Sequence, residues 1–255
     1  MFWFLDPPPT PYDLHFRLLG IPVRIHPMFW LVVVLLGNLQ GSPQELLLWI
    51  IAVLISILVH EFGHALTMRR FGQSPRIVLY ALGGYATARG NDYTWGGWSV
   101  GVSRLSTAQQ ILVLLAGPGA GFILAVFIFA LVKLTGGTIV FLPELPWFWR
   151  VELGIGARDD YPLLYELVYQ LLYVNIWWGV INLLPVYPLD GGQLVREVCI
   201  WRDPWRGIRW SLLVSVITGA AVAVFAFANR ELFLAILFGM LAWQSYVMLH
   251  NATGR

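Results

Sequence analysis

Charge is what this sequence has least of. Only 12% of its 255 residues are Asp, Glu, Lys or Arg, about half the share of an ordinary soluble domain. Against this, 58% are hydrophobic and the mean hydropathy is +0.69. That balance excludes a water-soluble domain, and a net charge of only +2 gives no support to nucleic-acid binding. Cysteine is nearly missing. Cys199 stands alone, so it can form neither an intramolecular disulfide nor a thiolate metal site, and it reads as a packing residue. The N-terminus, with Asp6 and the prolines Pro7 to Pro9, lacks the basic region and continuous apolar core of a cleavable signal. The first span is therefore expected to remain in the mature protein.

What is abundant is apolar run. Cut by charge and turn residues, the runs predict membrane spans near 27–43, 44–68, 107–133, 163–187, 208–228 and 230–250. The expected fold class is an all-α integral membrane protein with about six transmembrane helices of about 20 residues each. A small β-hairpin or sheet element is expected between the second and third spans, where Arg76 to Arg89 reads as a strand pair broken at Gly83-Gly84. There is no room for a sizeable soluble domain. One polytopic membrane domain, 1–255, is expected, with a core over about 17–200 and a C-terminal helical pair over about 208–250. Twelve of the sixteen basic residues, among them Arg69, Arg70, Arg196 and Arg209, fall on one side of such a six-span chain, which predicts that both termini are cytoplasmic. Trp3, Trp30, Trp147, Trp149, Trp201, Trp205 and Trp210 lie near span ends, where tryptophan anchors a helix at the bilayer surface.

Within the second span stands His60-Glu61-Phe62-Gly63-His64, preceded by Leu46 to Val59, which is apolar except for Ser56. Histidines four residues apart share a helix face and can hold zinc through two imidazoles, while the intervening Glu61 reaches a water on the open side of the metal. Histidines that merely hydrogen-bond between helices are the bland alternative. Three adjacent polar groups in a membrane helix need a compensating partner, and a divalent cation is the simplest. If Arg69 and Arg70 mark the interface, nine helical residues place His60 about 14 Å into the bilayer.

Catalytic zinc usually takes a third protein ligand. Asp190 is the first acid after the apolar run Leu167 to Leu189, in a segment where Pro185 and Pro188 must break the helix. Such unwound backbone survives at membrane depth only where it lines protein or a watery cavity. Asp190 serves equally well as the N-cap of a following helix, 191–200. His26 beside Pro27 and Glu166 near a span end are further candidates, and both read as interfacial residues.

The combination of His60-Glu-Phe-Gly-His64 with Asn182-Leu-Leu-Pro-Val-Tyr-Pro-Leu-Asp190-Gly-Gly resembles the site-2 protease family of intramembrane zinc metalloproteases. Gly20 to Pro27, Leu82-Gly83-Gly84 and Ala116-Gly-Pro-Gly-Ala-Gly121 agree with it, so the likeness covers most of residues 17–200. The resemblance implies one zinc ion on His60, His64 and Asp190. It also implies a role for Asn182 in orienting substrate or stabilising the oxyanion, and a transmembrane protein substrate in the lipid bilayer of a bacterial inner membrane. Many members carry PDZ or CBS domains, which this chain is too short to hold, so it resembles the minimal form. In bacteria the family commonly cleaves membrane-tethered regulators such as anti-sigma factors. Where the family's glycine-proline segment continues toward an asparagine, this chain has Gly121, so the likeness carries no polar role to that position. Packing through Gly117, Gly119 and Gly121 is expected instead.

On this reading Glu61 is the general base. A strand in 76–89, with Ile77, Leu79, Leu82, Gly83 and Gly84, is expected to pair with an unwound substrate segment. The competing class is a non-proteolytic metal-binding scaffold or zinc transporter. Zinc binding alone does not require Glu61, and the last two spans contain almost no ionisable residues to continue an ion path.

Overall fold

The computed structural model describes residues 8–37, 41–81, 83–88, 105–136, 138–143, 149–154 and 161–253. Its backbone divides into two compact units, residues 1–99 with 116–179, and residues 100–115 with 180–255.

In the first unit, β1 (Leu14–Leu18) and β2 (Ile21–Ile25) form a hairpin that turns at Leu19-Gly20, where both residues have positive φ. β2 pairs in parallel with β3 (Pro75–Tyr80), and β3 pairs antiparallel with β4 (Gly83–Ala88). The sheet order is β1-β2-β3-β4. The expected strand pair is thus present as β3 and β4, and the turn falls just ahead of Gly83, whose φ is +111°. The β1–β2 hairpin is an addition. Ile21, Val23 and Ile25 are buried while Pro22 and Arg24 are not, a period-two strand signal in a segment expected only to lead into the first span.

The buried sheet face meets two helices. Ile21, Val23, Ile25, Ile77 and Leu79 share a core with Phe29 and Val33 of α1 (Pro27–Leu36) and Val53, Ile57, Phe62 and Ala65 of α2 (Pro43–Arg70). The α1 helix is far shorter than the span expected over 27–43. It stops at Gly37, where a side chain would run into Leu46 and Trp49; the Trp49 indole donates to the Val33 carbonyl at 2.9 Å. Ser42 caps α2 by accepting from the Glu45 amide at 3.2 Å, Pro43 opens the helix, and Arg69 and Arg70 close it at the end where cations are favoured. α3 (Thr107–Leu134) packs on α4 (Pro162–Asn182) through Ala125, Ile128, Val132 and Leu172. A short hairpin, β5 (Thr138–Pro143) with β6 (Trp149–Gly154), lies between them in sequence and was not expected.

The second unit carries α5 (Asp190–Arg202), α6 (Gly207–Ala228) and α7 (Leu232–Thr253). Gly219 permits close packing of α6 on α7, since a Cβ there would lie 3.1 Å from that of Ala242. Val186, Phe238 and Leu241 form its core.

Four helices are long and apolar enough to cross a membrane by length and composition: α2, α3, α6 and α7. With the four they make an integral membrane protein, mostly helical with a small sheet, as expected. Of the other two expected spans, one is the ten-residue α1 and the other is α4, whose apolar character is diluted by Glu166, Gln170 and Asn175.

Candidate functional site

Helical spacing turns His60 and His64 to one face of α2, and both are buried. Their Nε2 atoms lie 3.2 Å apart with the rings edge to face. Two imidazoles on one tetrahedral zinc, at about 2.0–2.1 Å each, have their nitrogens about 3.3 Å apart. The pair therefore fits the bite of a single zinc ion. A side-by-side hydrogen bond between the rings has a similar length, so the distance accommodates the bland alternative as well.

The seat of His64 is a glycine of α3. A Cβ at Gly117 would fall within the His64 ring, and one at Gly63 would strike the Ala116 carbonyl. These two glycines let α2 and α3 meet backbone to backbone around the imidazole. Of the three glycines expected to pack, Gly117 touches His64 and Gly121 faces Asn175, whereas nothing lies within 4 Å of a Cβ at Gly119.

Glu61, also buried, faces the sheet. A Cβ on Gly84 would lie 2.7 Å from its Cγ and 2.9 Å from its Oε1, so only glycine lets the β4 backbone approach this carboxylate so closely. Its neighbour Gly83 lies against the indole of Trp178. Of the two glycines expected to bind substrate, Gly84 thus borders the expected base and Gly83 borders Trp178. Ile77 and Leu79 do not suit that task. They lie in β3, between β2 and β4, with side chains fully buried in the core. Leu82 lies outside the described residues. Among the described residues the strand with an unpaired edge on this side is β4.

One turn before His60, the exception in the apolar run finds its partner. Ser56 Oγ accepts a 2.8 Å hydrogen bond from the Asn175 side-chain amide, which also donates to the Leu171 carbonyl at 2.8 Å. Neither residue was singled out as a site residue, although a serine in the apolar run of α2 and an asparagine within α4 are the signature of an interhelical polar pair.

In the second unit, Asp190 is the first residue of α5 and is buried. The N-cap is Leu189, so the capping alternative for Asp190 is not what the structure adopts; the carboxylate sits in the first turn, at the positive end of the helix. Gly191 and Gly192 let this turn press on the backbone of 183–187, where any Cβ would collide. The unwound stretch before it is held by Ser215, which accepts from the Tyr187 amide at 3.0 Å, by Gln193, which donates to the Pro188 carbonyl at 2.9 Å, and by Arg196 over the Tyr187 ring. Its backbone groups are thus paired in the way a membrane interior demands. Asn182, buried, ends α4.

The remaining candidates are structural. His26 caps α1, its Nδ1 accepting from the Met28 amide at 3.1 Å, and Glu166 accepts from Gln170 at 2.6 Å.

A model of Peptidase family M50 matches residues 48–222. The chain is 24% identical over 186 residues to the zinc metalloprotease MJ0392 of Methanocaldococcus jannaschii, covering 72% of this chain and 44% of that protein. It is 28% identical over 211 residues to Rip3 of Mycobacterium tuberculosis, covering 76% and 44%. It therefore spans less than half the length of these relatives. Among solved structures, a site-2 protease from Methanocaldococcus jannaschii shares the fold, with a TM-score of 0.58 at 17% identity over 93% of this chain and 95% of that one.

Proposed function

This chain belongs to peptidase family M50, and from that premise we propose that it is an intramembrane zinc metalloprotease that hydrolyses a peptide bond in or near the transmembrane segment of a membrane-anchored protein. The observation that carries the reading is the buried His60–His64 pair, 3.2 Å apart at Nε2, with Glu61 between them against the β4 backbone. Zinc binding alone does not require that carboxylate, which favours hydrolysis over a scaffold.

His60, His64 and Asp190 would hold the metal, two imidazoles and a carboxylate being a donor set that suits zinc with one position open. When bound, zinc supplies a Lewis acid that polarises a carbonyl and lowers the pKa of water from about 16 to about 7. Glu61 takes the proton of the attacking water and delivers it to the amine nitrogen as the C–N bond breaks. The Asn182 side-chain amide donates to the oxygen on which charge develops. Asp190 stands in the first turn of α5, at the helix end where a carboxylate is favoured.

A helical substrate must unwind before its carbonyl can be attacked, and its freed backbone groups need partners in a membrane. The free edge of β4 offers them, with Gly83 and Gly84 leading the paired segment past Glu61. Alternate β4 residues direct their amides to this edge. Proline placed singly at Tyr85 and Ala86 is therefore expected to separate two effects. At the outward-facing position, cleavage of a membrane-anchored reporter falls while zinc content is kept. Equal activity of both variants would discard strand pairing. The termini are taken to be cytoplasmic, and the substrate to be a transmembrane protein.

The protease reading itself is tested with the purified protein and a membrane-anchored reporter in proteoliposomes. Zinc-dependent cleavage is expected. Zinc flux across the vesicle without cleavage would replace it with a transporter.

A further inference from the structure

Three arginines from separate elements converge on one cavity of about 470 Å³ at the C-terminal end of α2. Arg17 comes from β1, Arg69 from the last turn of α2 and Arg76 from β3, with Gly20, Gln73 and Ser74 in the wall. Strand register explains the convergence. Arg17 lies opposite Pro22, and β2 runs parallel to β3 with Val23 opposite Ile77, so Arg17 and Arg76 flank Pro22 across neighbouring strands.

Among the described residues no acid lines this cavity. Arg24 is a contrast, since its guanidinium meets the Asp13 carboxylate at 3.0 Å. Arg69 donates to a neutral group, the Leu19 carbonyl, at 2.7 Å. Three like charges around one cavity repel one another, and an anion bound among them converts that cost into charge-assisted hydrogen bonds. A second, shallower cavity shares Arg69 and continues over Leu66, Thr67 and Arg70. The charged wall thus grades into the side of a membrane-crossing helix. Free phosphate would use the first cavity alone, whereas a phospholipid would use both, phosphate among the arginines and acyl chain along Leu66.

We propose that Arg17, Arg69 and Arg76 form a binding site for the phosphate of an anionic phospholipid headgroup. The bound lipid ties β1 and β3 to the end of α2, and so steadies the sheet whose outer strand borders Glu61.

The test uses the full chain extracted from vesicles of equal phosphatidylcholine and phosphatidylglycerol, with native mass spectrometry counting the lipid retained. Each arginine that holds the phosphate through charge-assisted hydrogen bonds strengthens retention about fivefold, a contribution that arginines outside the cavity do not make. The variant carrying Arg17→Gln, Arg69→Gln and Arg76→Gln is therefore expected to lose phosphatidylglycerol retention by about 100-fold. A variant of equal charge, Arg202→Gln with Arg206→Gln and Arg209→Gln, is expected to retain it. Should the first triple variant not fold, Arg17→Gln and Arg76→Gln singly are each expected to weaken retention about fivefold. Arg69→Lys is expected to lose part of it, because lysine cannot grip phosphate bidentately. Equal retention of the two lipids by the wild type, or equal losses in both triple variants, would overturn the site. Release of the lipid by millimolar inorganic phosphate would overturn the lipid as its occupant.

Discussion

Glu61→Gln is expected to keep zinc and to lower reporter cleavage by about 10²–10⁴-fold, the range a positioned acid–base group supplies. Little else changes with the substitution. Glutamine has the shape of glutamate, and the site Glu61 occupies is set by the β4 backbone, where Gly84 leaves room for its Cγ and Oε1 and for nothing larger. Packing between α2 and β4 is therefore preserved, as are His60 and His64 on the adjoining face. What disappears is the capacity to accept a proton from water and pass it to the departing amine. Zinc analysis and cleavage rate, measured on the same preparation, separate the two roles. Full activity would remove Glu61 as the base, and loss of zinc would make it part of the metal's support.

Gly117→Ala is expected to weaken zinc binding by about 10–100-fold, the usual cost of disturbing a group that orients a metal ligand. The added methyl would occupy the space of the His64 ring, contacting Nε2, Cε1 and Cδ2, so the imidazole must turn away from His60. Helix strength cannot account for such a loss. Replacing glycine by alanine inside a helix favours the helix by about 1 kcal/mol. Gly119→Ala supplies the control, because its Cβ meets nothing within 4 Å and the same helical gain comes without the collision. The expected result is a Gly119 variant with wild-type zinc affinity and activity beside a Gly117 variant deficient in both. Equal zinc affinity in the two variants would show that α3 does not seat the ligand.

These two cases also mark what can be read from sequence. His60, Glu61 and His64 were legible because helical periodicity alone fixes their relation, and the apolar run before them sets them apart. The strand pair β3–β4 was legible through its glycine break. The contact of Gly117 with His64 was not, since it depends on which face of α3 meets α2, and that is decided by Gly63 opposite Ala116 rather than by any local pattern. The same holds for Asn175, whose partner Ser56 lies far away in sequence. The β1–β2 hairpin escaped because five alternating residues beside a histidine-proline pair read as a helix approach. The spans expected at α1 and α4 are not among the four long apolar helices, for opposite reasons. Apolar composition ran past the true stop at Gly37, while α4 keeps helical length but exchanges apolar residues for the polar groups that pair inside the first unit. Ile77 and Leu79 look like ligand-facing strand residues until the parallel β2 is added, which makes β3 an inner strand and passes the open edge to β4.

The proposed zinc site draws on a histidine pair of one helix and an aspartate from a distant part of the sequence. Its most direct measurement is the zinc content of the detergent-purified protein, wild type against His64→Ala and Asp190→Ala. The account predicts one zinc per chain in the wild type, lost or much weakened in both variants. No zinc in the wild type after reconstitution with the metal, or undiminished zinc in Asp190→Ala, would contradict it.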